Sequence, residues 1–187
     1  MPAITALLHT ENDALRLGRC LETLYPCDEI VIVDHGSRDA TVQIAREYGA
    51  RVVEALPGTG FEFDARQVGL SRNNLGKWIL CLDPCESVSE SLAASLFEWK
   101  SAGDGTAAAL PAISGPAISG PAITVSAISV SAISVFVREE GAKGWVENPV
   151  PQIRLVPWDW DLWQGRFPRN GATAATLEGH LLRFDFP

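Results

Sequence analysis

The sequence predicts an α/β protein in which helices cover both faces of a mostly parallel sheet, a three-layer αβα architecture. Over residues 1–100, short apolar segments alternate with segments in which apolar residues recur at helical spacing. This alternation is typical of βα units, which build parallel sheets. Two apolar segments end in an aspartate, at Asp34 and Asp83. Because parallel strands end at one edge, we expect both carboxylates at the edge where such sheets bind ligands.

The first elements follow from local patterns of apolar residues. Residues 3–8 are mostly apolar and predict a buried first strand. Residues 12–25 carry apolar side chains at helical spacing. Thr10 or Asn12 is expected to cap this helix by accepting a hydrogen bond from a free backbone N–H group. Residues 29–34 then predict a second apolar strand, which ends in an aspartate.

A second helix and two further strands complete the amino-terminal half. Ser37 is the predicted cap of the second helix, which puts Asp39 in its first turn, where a carboxylate is favourable for the helix dipole. The helix should end at Gly49, because glycine readily adopts the left-handed conformation of a helix terminus. Further predictions are strands over residues 51–55 and 78–83, a helix over residues 62–75, and a helix start at the capping pattern Ser87-x-x-Glu90.

Length and composition exclude several classes of protein. The chain has 187 residues, of which 47% are hydrophobic and 20% charged, and this fits one globular domain. Its net charge of −8 argues against a nucleic-acid-binding surface, because phosphate contacts need clustered lysine and arginine. No segment has the continuous hydrophobicity of a membrane span, and no basic region of a secretory signal precedes the first strand. We therefore expect a cytoplasmic protein.

A tandem repeat interrupts the alternating pattern. Residues 111–135 contain five pentapeptides, from Pro-Ala-Ile-Ser-Gly to Ser-Ala-Ile-Ser-Val. A period of five matches neither a helix nor a strand. The repeat is interpreted as a low-complexity expansion that is held as strands or loop, with a dedicated binding surface as the alternative.

Residues 145–170 are rich in tryptophan, and Asp159 and Asp161 lie between Trp158, Trp160 and Trp163. Aromatic faces beside carboxylates can stack on sugar rings while the carboxylates accept hydrogen bonds from hydroxyl groups. Tryptophan also fills cores more often than it binds ligands. Both interpretations, sugar stacking and structural packing, are therefore kept open.

Several motifs occur together in an order and spacing that are typical of one family. Thr10-Glu11-Asn12-Asp13 follows the first strand, and Val33-Asp34-His-Gly-Ser-Arg-Asp-Ala-Thr41 follows the second. Ala65-Arg66-Gln67-Val-Gly-Leu70 and Trp78-Ile-Leu-Cys-Leu-Asp83-Pro-Cys-Glu86 come next, and residues 151–155 and 177–185 add weaker matches. Together these segments resemble family 2 glycosyltransferases of the GT-A fold, near the branch of lipopolysaccharide-core glucosyltransferases.

The resemblance implies a nucleotide-sugar site. In the family, the aspartate after the second strand contacts the nucleobase, and carboxylates after the fourth strand contact the ribose and a divalent cation, Mg²⁺ or Mn²⁺. The residues implied to bind the nucleotide are Thr10, Asn12, Asp34, Gly36, Arg66 and Asp83. One domain over residues 1–187 would then comprise a nucleotide-binding half at 1–100, a repeat insertion at 106–137 and an acceptor-side segment at 138–187.

The chain departs from the family pattern at the metal site. Cys85 stands where the family has its second aspartate, and a thiol is a poor ligand for a hard cation. The candidates for holding a metal ion or the diphosphate are Asp83, Glu86, His180 and Arg183. In a metal-free alternative, Arg183 or Arg169 replaces the cation, because a guanidinium can hold a diphosphate through two hydrogen bonds.

The reaction implied by the resemblance is attack by an acceptor hydroxyl on the anomeric carbon of a nucleotide-activated sugar. The expected donor is a UDP-sugar, and the expected acceptor is a glycan or a lipid-linked molecule at the inner face of the membrane. A general base must reach the attacking hydroxyl, and the candidates are Asp159, Asp161 and Glu178. The alternative is a catalytically degenerate relative that keeps the fold as a nucleotide-binding or structural protein.

Overall fold

The computed structural model describes residues 2–56, 78–102, 132–170 and 174–185. The helices in these ranges are α1 (Ala14–Glu22), α2 (Thr41–Glu47) and α3 (Glu90–Ala102). The strands of the amino-terminal half are β1 (Ile4–Thr10), β2 (Glu29–Asp34), β3 (Arg51–Glu54), β4 (Trp78–Leu82) and β5 (Glu86–Val88). Those that follow are β6 (Ala132–Gly141), β7 (Gly144–Glu147), β8 (Gln152–Pro157), β9 (Trp163–Gln164), β10 (Phe167–Pro168) and β11 (Ala174–Arg183).

One large sheet organises the molecule, in the order β3-β2-β1-β4-β8-β6-β11-β5, with β7 paired to β6. The neighbours from β3 to β4 are all parallel, which confirms the prediction for the amino-terminal half. Beyond β4 the sheet is mixed, because β8 runs antiparallel to both of its neighbours and β11 runs parallel to β6 but antiparallel to β5. The whole molecule therefore has an α/β fold built on a mixed central sheet.

The strand order reverses between β1 and β4. The chain moves outward from β1 through β2 to β3, and β4 then pairs with the opposite side of β1. The register aligns Thr10 with Asp34 and Leu8 with Leu82, so Asp34 and Asp83 emerge at the same edge, as predicted. A crevice outside the carboxyl ends of the strands at such a reversal is where open α/β sheets bind their ligands.

Two apolar clusters pack against the two faces of the sheet. The helix-side cluster joins Leu17 of α1 and Leu96 of α3 to Leu8 of β1 and Leu155 of β8, among others. The aromatic-side cluster is built on Leu7 and other strand residues, and Trp158, Trp160, Trp163 and Phe167 pack against it. Alternate residues of a strand face opposite sides of the sheet. Since both faces are covered by these clusters, every residue of β1 is buried. The predicted helix over residues 62–75 lies outside the described residues.

Helix starts differ from the predictions at three places. Neither Thr10 nor Asn12 caps α1, which begins at Ala14 after Asp13 and has no capping bond from a side chain. Similarly, α2 begins at Thr41 and not directly after Ser37. The side chains of Thr10, Asn12 and Ser37 instead bond to Asp34 or to backbone N–H groups of the neighbouring loop, and such long-range competition is not visible in a local pattern.

The third helix is capped by a neighbour of the predicted residue. Ser89 and not Ser87 precedes α3, and the Ser89 hydroxyl accepts a hydrogen bond from the Leu92 N–H group at 3.3 Å. Ser87 belongs to the short strand β5 and is buried. By contrast, α2 ends as predicted, with Gly49 at a φ of 75°.

Most of the tandem repeat lies outside the described residues, but residues 132–135 of its last unit are described. Residues 132–135 begin β6, a central strand between β8 and β11, and their side chains are buried. The Ser134 hydroxyl lies 2.8 Å from the Thr176 hydroxyl on β11. The end of the repeat is therefore part of the core. Within the ranges that the structure describes, none of the helices is long and apolar enough to span a bilayer.

Candidate functional site

A buried aspartate organises the turn after β2. Asp34 is 5% exposed, and its Oδ1 accepts hydrogen bonds from the Thr10 hydroxyl at 2.9 Å and from the Ser37 hydroxyl. Its Oδ2 accepts from the N–H groups of Gly36 at 3.2 Å and Ser37 at 2.9 Å. Gly36 has a φ of 84°, which glycine adopts without the steric cost of a Cβ atom. These four bonds match the acceptor capacity of a carboxylate, so Asp34 holds the turn in one shape.

The loop after β1 is fastened to this turn. Asn12 has a φ of 56°, and its Oδ1 accepts a hydrogen bond from the Arg38 N–H group at 2.9 Å. In return, the Asn12 N–H group donates to the Ser37 hydroxyl at 2.9 Å. The structure therefore brings Thr10, Asn12, Asp34 and Gly36 together at one edge. Arg66, which was predicted to join them, lies outside the described residues.

A cavity of about 370 Å³ opens beside the Asp34 turn. Its lining residues come from the turn, from α2 and from β3: Asp34, Gly36, Ser37, Val42, Arg46, Val52, Glu54 and Ala55. Its volume is within the range of small-molecule sites, and polar atoms make up more of its lining than apolar atoms do. Among the named nucleotide-binding candidates, Asp34 and Gly36 contribute directly to its wall.

An ion pair occupies the point where the strand order reverses. Asp83 follows β4, and its Oδ2 lies 2.6 Å from an Nη2 atom of Arg166, whose side chain is 33% exposed. Arg166 is at the tip of the hairpin formed by β9 and β10, where Gly165 and Arg166 form the two-residue loop. Gly165 has a φ of 59°, which is the conformation that glycine provides at the first position of a type II′ hairpin turn.

Two histidines lie at the same edge and are kept neutral. Nδ1 of His9 is 3.0 Å from Nε2 of His35. Burial, with the charges of His35 and Arg166, lowers the pKa of His9 to about 4. Burial also lowers the pKa of His35 from its usual value. At neutral pH these two histidines are therefore mostly uncharged, whereas Arg166 carries a positive charge.

Glu86 lies behind the site and not in it, which corrects its predicted role as a metal or diphosphate ligand. Its side chain is fully buried and accepts two hydrogen bonds from Arg154, at 2.9 and 3.2 Å. It also accepts from Arg183 at 2.8 Å and from the Asp83 N–H group at 2.9 Å. With these donors around both oxygens, Glu86 positions the backbone of Asp83 and is closed to a ligand.

The residues around Asp83 do not fit a divalent cation. Burial, with the nearby charge of Asp83, raises the pKa of Cys85 to about 12, so the thiol stays protonated. A protonated thiol is a poor ligand for Mg²⁺ or Mn²⁺, and the Asp83 carboxylate already pairs with a guanidinium. Throughout the described part of the chain, no group of three histidine, cysteine or acidic side chains has the geometry to hold a metal ion.

The other predicted site residues are dispersed. Arg183 pairs with Glu86 and, at 2.8 Å, with Glu139, while Nε2 of His180 lies 3.1 Å from Glu147. Three carboxylates proposed as general bases are exposed, namely Asp159, Asp161 and Glu178. The described contacts do not join these three side chains to Asp34 or Asp83.

The tryptophan-rich segment packs against the sheet. Trp158, Trp160 and Trp163 contact the aromatic-side cluster, which supports structural packing over sugar stacking for these side chains. Nε1 of Trp163 donates to the Trp160 carbonyl at 2.8 Å, which fixes the approach to the β9–β10 hairpin. The segment thereby presents Arg166 to the edge of the sheet.

Arg166 was missed by the sequence-based prediction, which named Arg169 and Arg183 as possible replacements for a cation. Arg169 is exposed, and its backbone N–H group bonds to Leu162. A Gly-Arg pair between two short aromatic segments is the one available signal for a hairpin tip. Nothing in that local pattern indicates that the tip reaches Asp83, which precedes it by more than eighty positions in the sequence.

The chain resembles known proteins in sequence. Residues 7–99 match the family model described as "Glycosyl transferase family 2". An uncharacterized glycosyltransferase of Rickettsia felis is 33% identical over 94 residues, which cover 49% of this chain and 32% of that protein. The lipopolysaccharide core biosynthesis glycosyltransferase LpsC of Rhizobium meliloti is 42% identical over 45 residues, 24% of this chain and 17% of that protein. The chain therefore matches about a third or less of the length of these relatives.

Solved structures show the same fold over a longer stretch. The crystal structure of S. aureus TarS residues 1–349 superposes with a TM-score of 0.52 at 18% identity and covers 80% of this chain and 38% of that one. The structure of the same protein in complex with UDP-GlcNAc gives a TM-score of 0.50 at 17% identity, over 80% of this chain and 37% of that one. At such identities the likeness concerns the fold alone.

Proposed function

Because this chain belongs to glycosyltransferase family 2 and has the GT-A fold, we propose that it binds a nucleotide-activated sugar at the carboxyl edge of β1, β2 and β4. The observation that carries this proposal is the Asp34 turn, with its adjoining cavity, beside the reversal of strand order. The cavity would receive the nucleobase, and Asp34 would hold the turn at Gly36 that forms part of the cavity wall. Asp83 would lie nearer the ribose and the diphosphate.

We further propose that the donor is a UDP-sugar and that the acceptor is a hydroxyl group of a glycan or a lipid-linked molecule on the cytoplasmic side. The UDP-GlcNAc complex of the TarS structure supports this nucleotide, since the fold is shared over most of this chain. In the transfer, the hydroxyl oxygen bonds to the anomeric carbon, and the bond from that carbon to the phosphate oxygen breaks. The hydroxyl proton passes to a base, for which Asp159, Asp161 and Glu178 remain candidates.

A second candidate function is nucleotide binding without sugar transfer. The observation that favours it is the loss of metal-binding chemistry at Asp83, where Cys85 stays protonated and Glu86 is closed to a ligand. Measured turnover distinguishes the two functions. A protein that binds a UDP-sugar but neither hydrolyses nor transfers the sugar has the second function.

The nucleotide site is tested by calorimetric titration with UDP and with uridine. Both are expected to bind, and Asp34→Asn should weaken both by about tenfold or more, because the new NH₂ group opposes the N–H groups of the turn. Asp28→Asn is the matched control, since Asp28 lies at the opposite edge of the sheet, before β2, and pairs with Lys100 at 2.7 Å. Thermal melting shows that each variant is folded. Failure of the folded wild-type chain to bind either compound would refute the proposal.

A further inference from the structure

We infer that the guanidinium of Arg166 takes the place of a divalent cation and binds the diphosphate of the nucleotide. The inference rests on the proposed function and adds the group that recognises the phosphates. It starts from the mismatch at Asp83, where Cys85 stands in place of the second acidic residue of the family pattern and a guanidinium lies 2.6 Å from the Asp83 carboxylate. The charge opposite Asp83 is thus supplied by the chain itself.

The position of Arg166 suits this role. The ion pair with Asp83 lies at the reversal of strand order, where the crevice outside the sheet edge is expected to hold the ligand. The Arg166 side chain is 33% exposed and that of Asp83 is 16% exposed, so the pair is not sealed in the core.

The hairpin that carries Arg166 is firmly supported. The guanidinium of Arg154 stacks on the Phe167 ring at 4.0 Å from its centroid, and that of Arg166 lies 5.4 Å from the same centroid. Arg154 is itself fixed by its buried ion pair with Glu86. The Arg169 N–H group bonds to the Leu162 carbonyl at 2.8 Å and closes the base of the hairpin. This support reduces the ordering that ligand binding would otherwise require.

The chemistry of a guanidinium matches a diphosphate. The group is permanently charged and carries five N–H donors in one plane. Paired N–H groups bind phosphate oxygens with defined geometry. When the sugar leaves, negative charge develops on the diphosphate, and a fixed cation stabilises that charge. Arg166 would therefore serve both binding and departure of the leaving group.

The test compares UDP with uridine, because uridine lacks the diphosphate. Calorimetric titrations of the full chain are run with Mn²⁺ and, separately, with EDTA. We expect wild-type UDP affinity to be the same in both. Arg166→Gln should weaken UDP by about tenfold or more and leave uridine unchanged, whereas Arg166→Lys, which keeps the charge, should weaken UDP less. Arg169→Gln is the matched control, an exposed arginine of the same segment, and should bind both compounds like the wild type.

Several results would overturn the inference. One is UDP binding by the wild type that requires Mn²⁺, and another is unchanged UDP binding in Arg166→Gln. A third is an equal loss of uridine and UDP in both Arg166 variants, since this would show a role in shaping the site and not in holding phosphate. These outcomes differ from failure of the proposed function, in which the wild type binds neither uridine nor UDP.

Discussion

At the scale of single residues, the acidic side chains of the site edge have different tasks. Asp34 is almost fully buried and uses its oxygens to shape a turn, while Glu86 is fully buried between two arginines. Asp83 alone of these three is partly exposed, and its partner Arg166 shares that exposure. The buried carboxylates therefore build the frame, and the Asp83–Arg166 pair is the part of it that a ligand can reach.

The buried ion pair gives a stability prediction. Glu86→Gln leaves Arg154 and Arg183 beside a neutral amide, and an uncompensated buried charge costs about 3–5 kcal/mol in the free energy of unfolding. Urea unfolding measures this loss. The matched control is Glu29→Gln, which removes a partly exposed pair with Arg51 and should cost only about 0.5 kcal/mol. Equal costs for the two variants would contradict the assigned role of Glu86.

His9 gives a prediction for pH. Its pKa falls from 6.5 to about 4 on folding, so between these values the unfolded chain binds a proton that the native protein does not. The contribution of neutral His9 to the free energy of unfolding is thus fully present above about pH 6.5 and declines as the pH falls towards 4. The upper limit of this loss is about 3 kcal/mol. Urea midpoints at about pH 7.5 and about pH 5 should differ less in His9→Gln than in the wild type. Equal differences in the two proteins would show that His9 does not carry the effect.

The site was predictable from sequence only where local patterns determine it. Asp34 and Asp83 could be found because each ends an apolar segment, and strand direction then puts them at one edge. The role of Glu86 could not be predicted, because its partners Arg154 and Arg183 are 68 and 97 positions away in the sequence. Arg166 was missed for the same reason. Contacts over such distances follow from the sheet order, which no local pattern specifies.

At the scale of elements, β11 approaches the backbone of α3 closely at Gly179. Gly179 lies at a bulge in β11 with a φ of 100°, and a Cβ atom there would be 2.3 Å from the Leu92 nitrogen. The bond from the Ser89 N–H group to the His180 carbonyl ties the helix start to the same bulge. The bulge therefore fixes how α3 lies on the carboxyl-terminal part of the sheet.

Gly179→Ala should destabilise the fold strongly. The added methyl group meets helix backbone, which cannot rotate away, and the positive φ adds strain, so we expect a loss of about 3 kcal/mol or more. Gly144→Ala is the matched control, because Gly144 has a φ of 109° but a Cβ atom there would meet nothing within 4 Å. It should lose only about 1–2 kcal/mol in urea unfolding. A similar loss in both would mean that the contact with Leu92 adds nothing.

At the scale of the whole molecule, the family match and the folded core have different limits. The match to the family ends at residue 99, within α3. The helix-side cluster continues past that point, since Ile133, Leu155 and Leu181 are buried in it beside Leu8 and Leu80. The alternating pattern predicted the parallel strands, but it could not predict that later strands complete the same sheet, because their pairing joins distant parts of the chain.

A fragment of residues 1–102 is therefore expected not to fold by itself. It keeps β1 to β5 and all three described helices, but it loses β8, which pairs with β4, and β11, which pairs with β5. Without β8 and β11, the edge of β4 and many apolar side chains are exposed to water. Much of the apolar burial that offsets chain entropy is therefore lost.

The contact of Trp78 with Trp99, at 4.9 Å between ring centroids, lies within the fragment and reports on packing. Near-ultraviolet circular dichroism should show ordered tryptophans and a cooperative urea transition in the intact chain, and neither in the fragment. A cooperative transition of the fragment at the intact chain's midpoint would instead make residues 1–102 an independent domain.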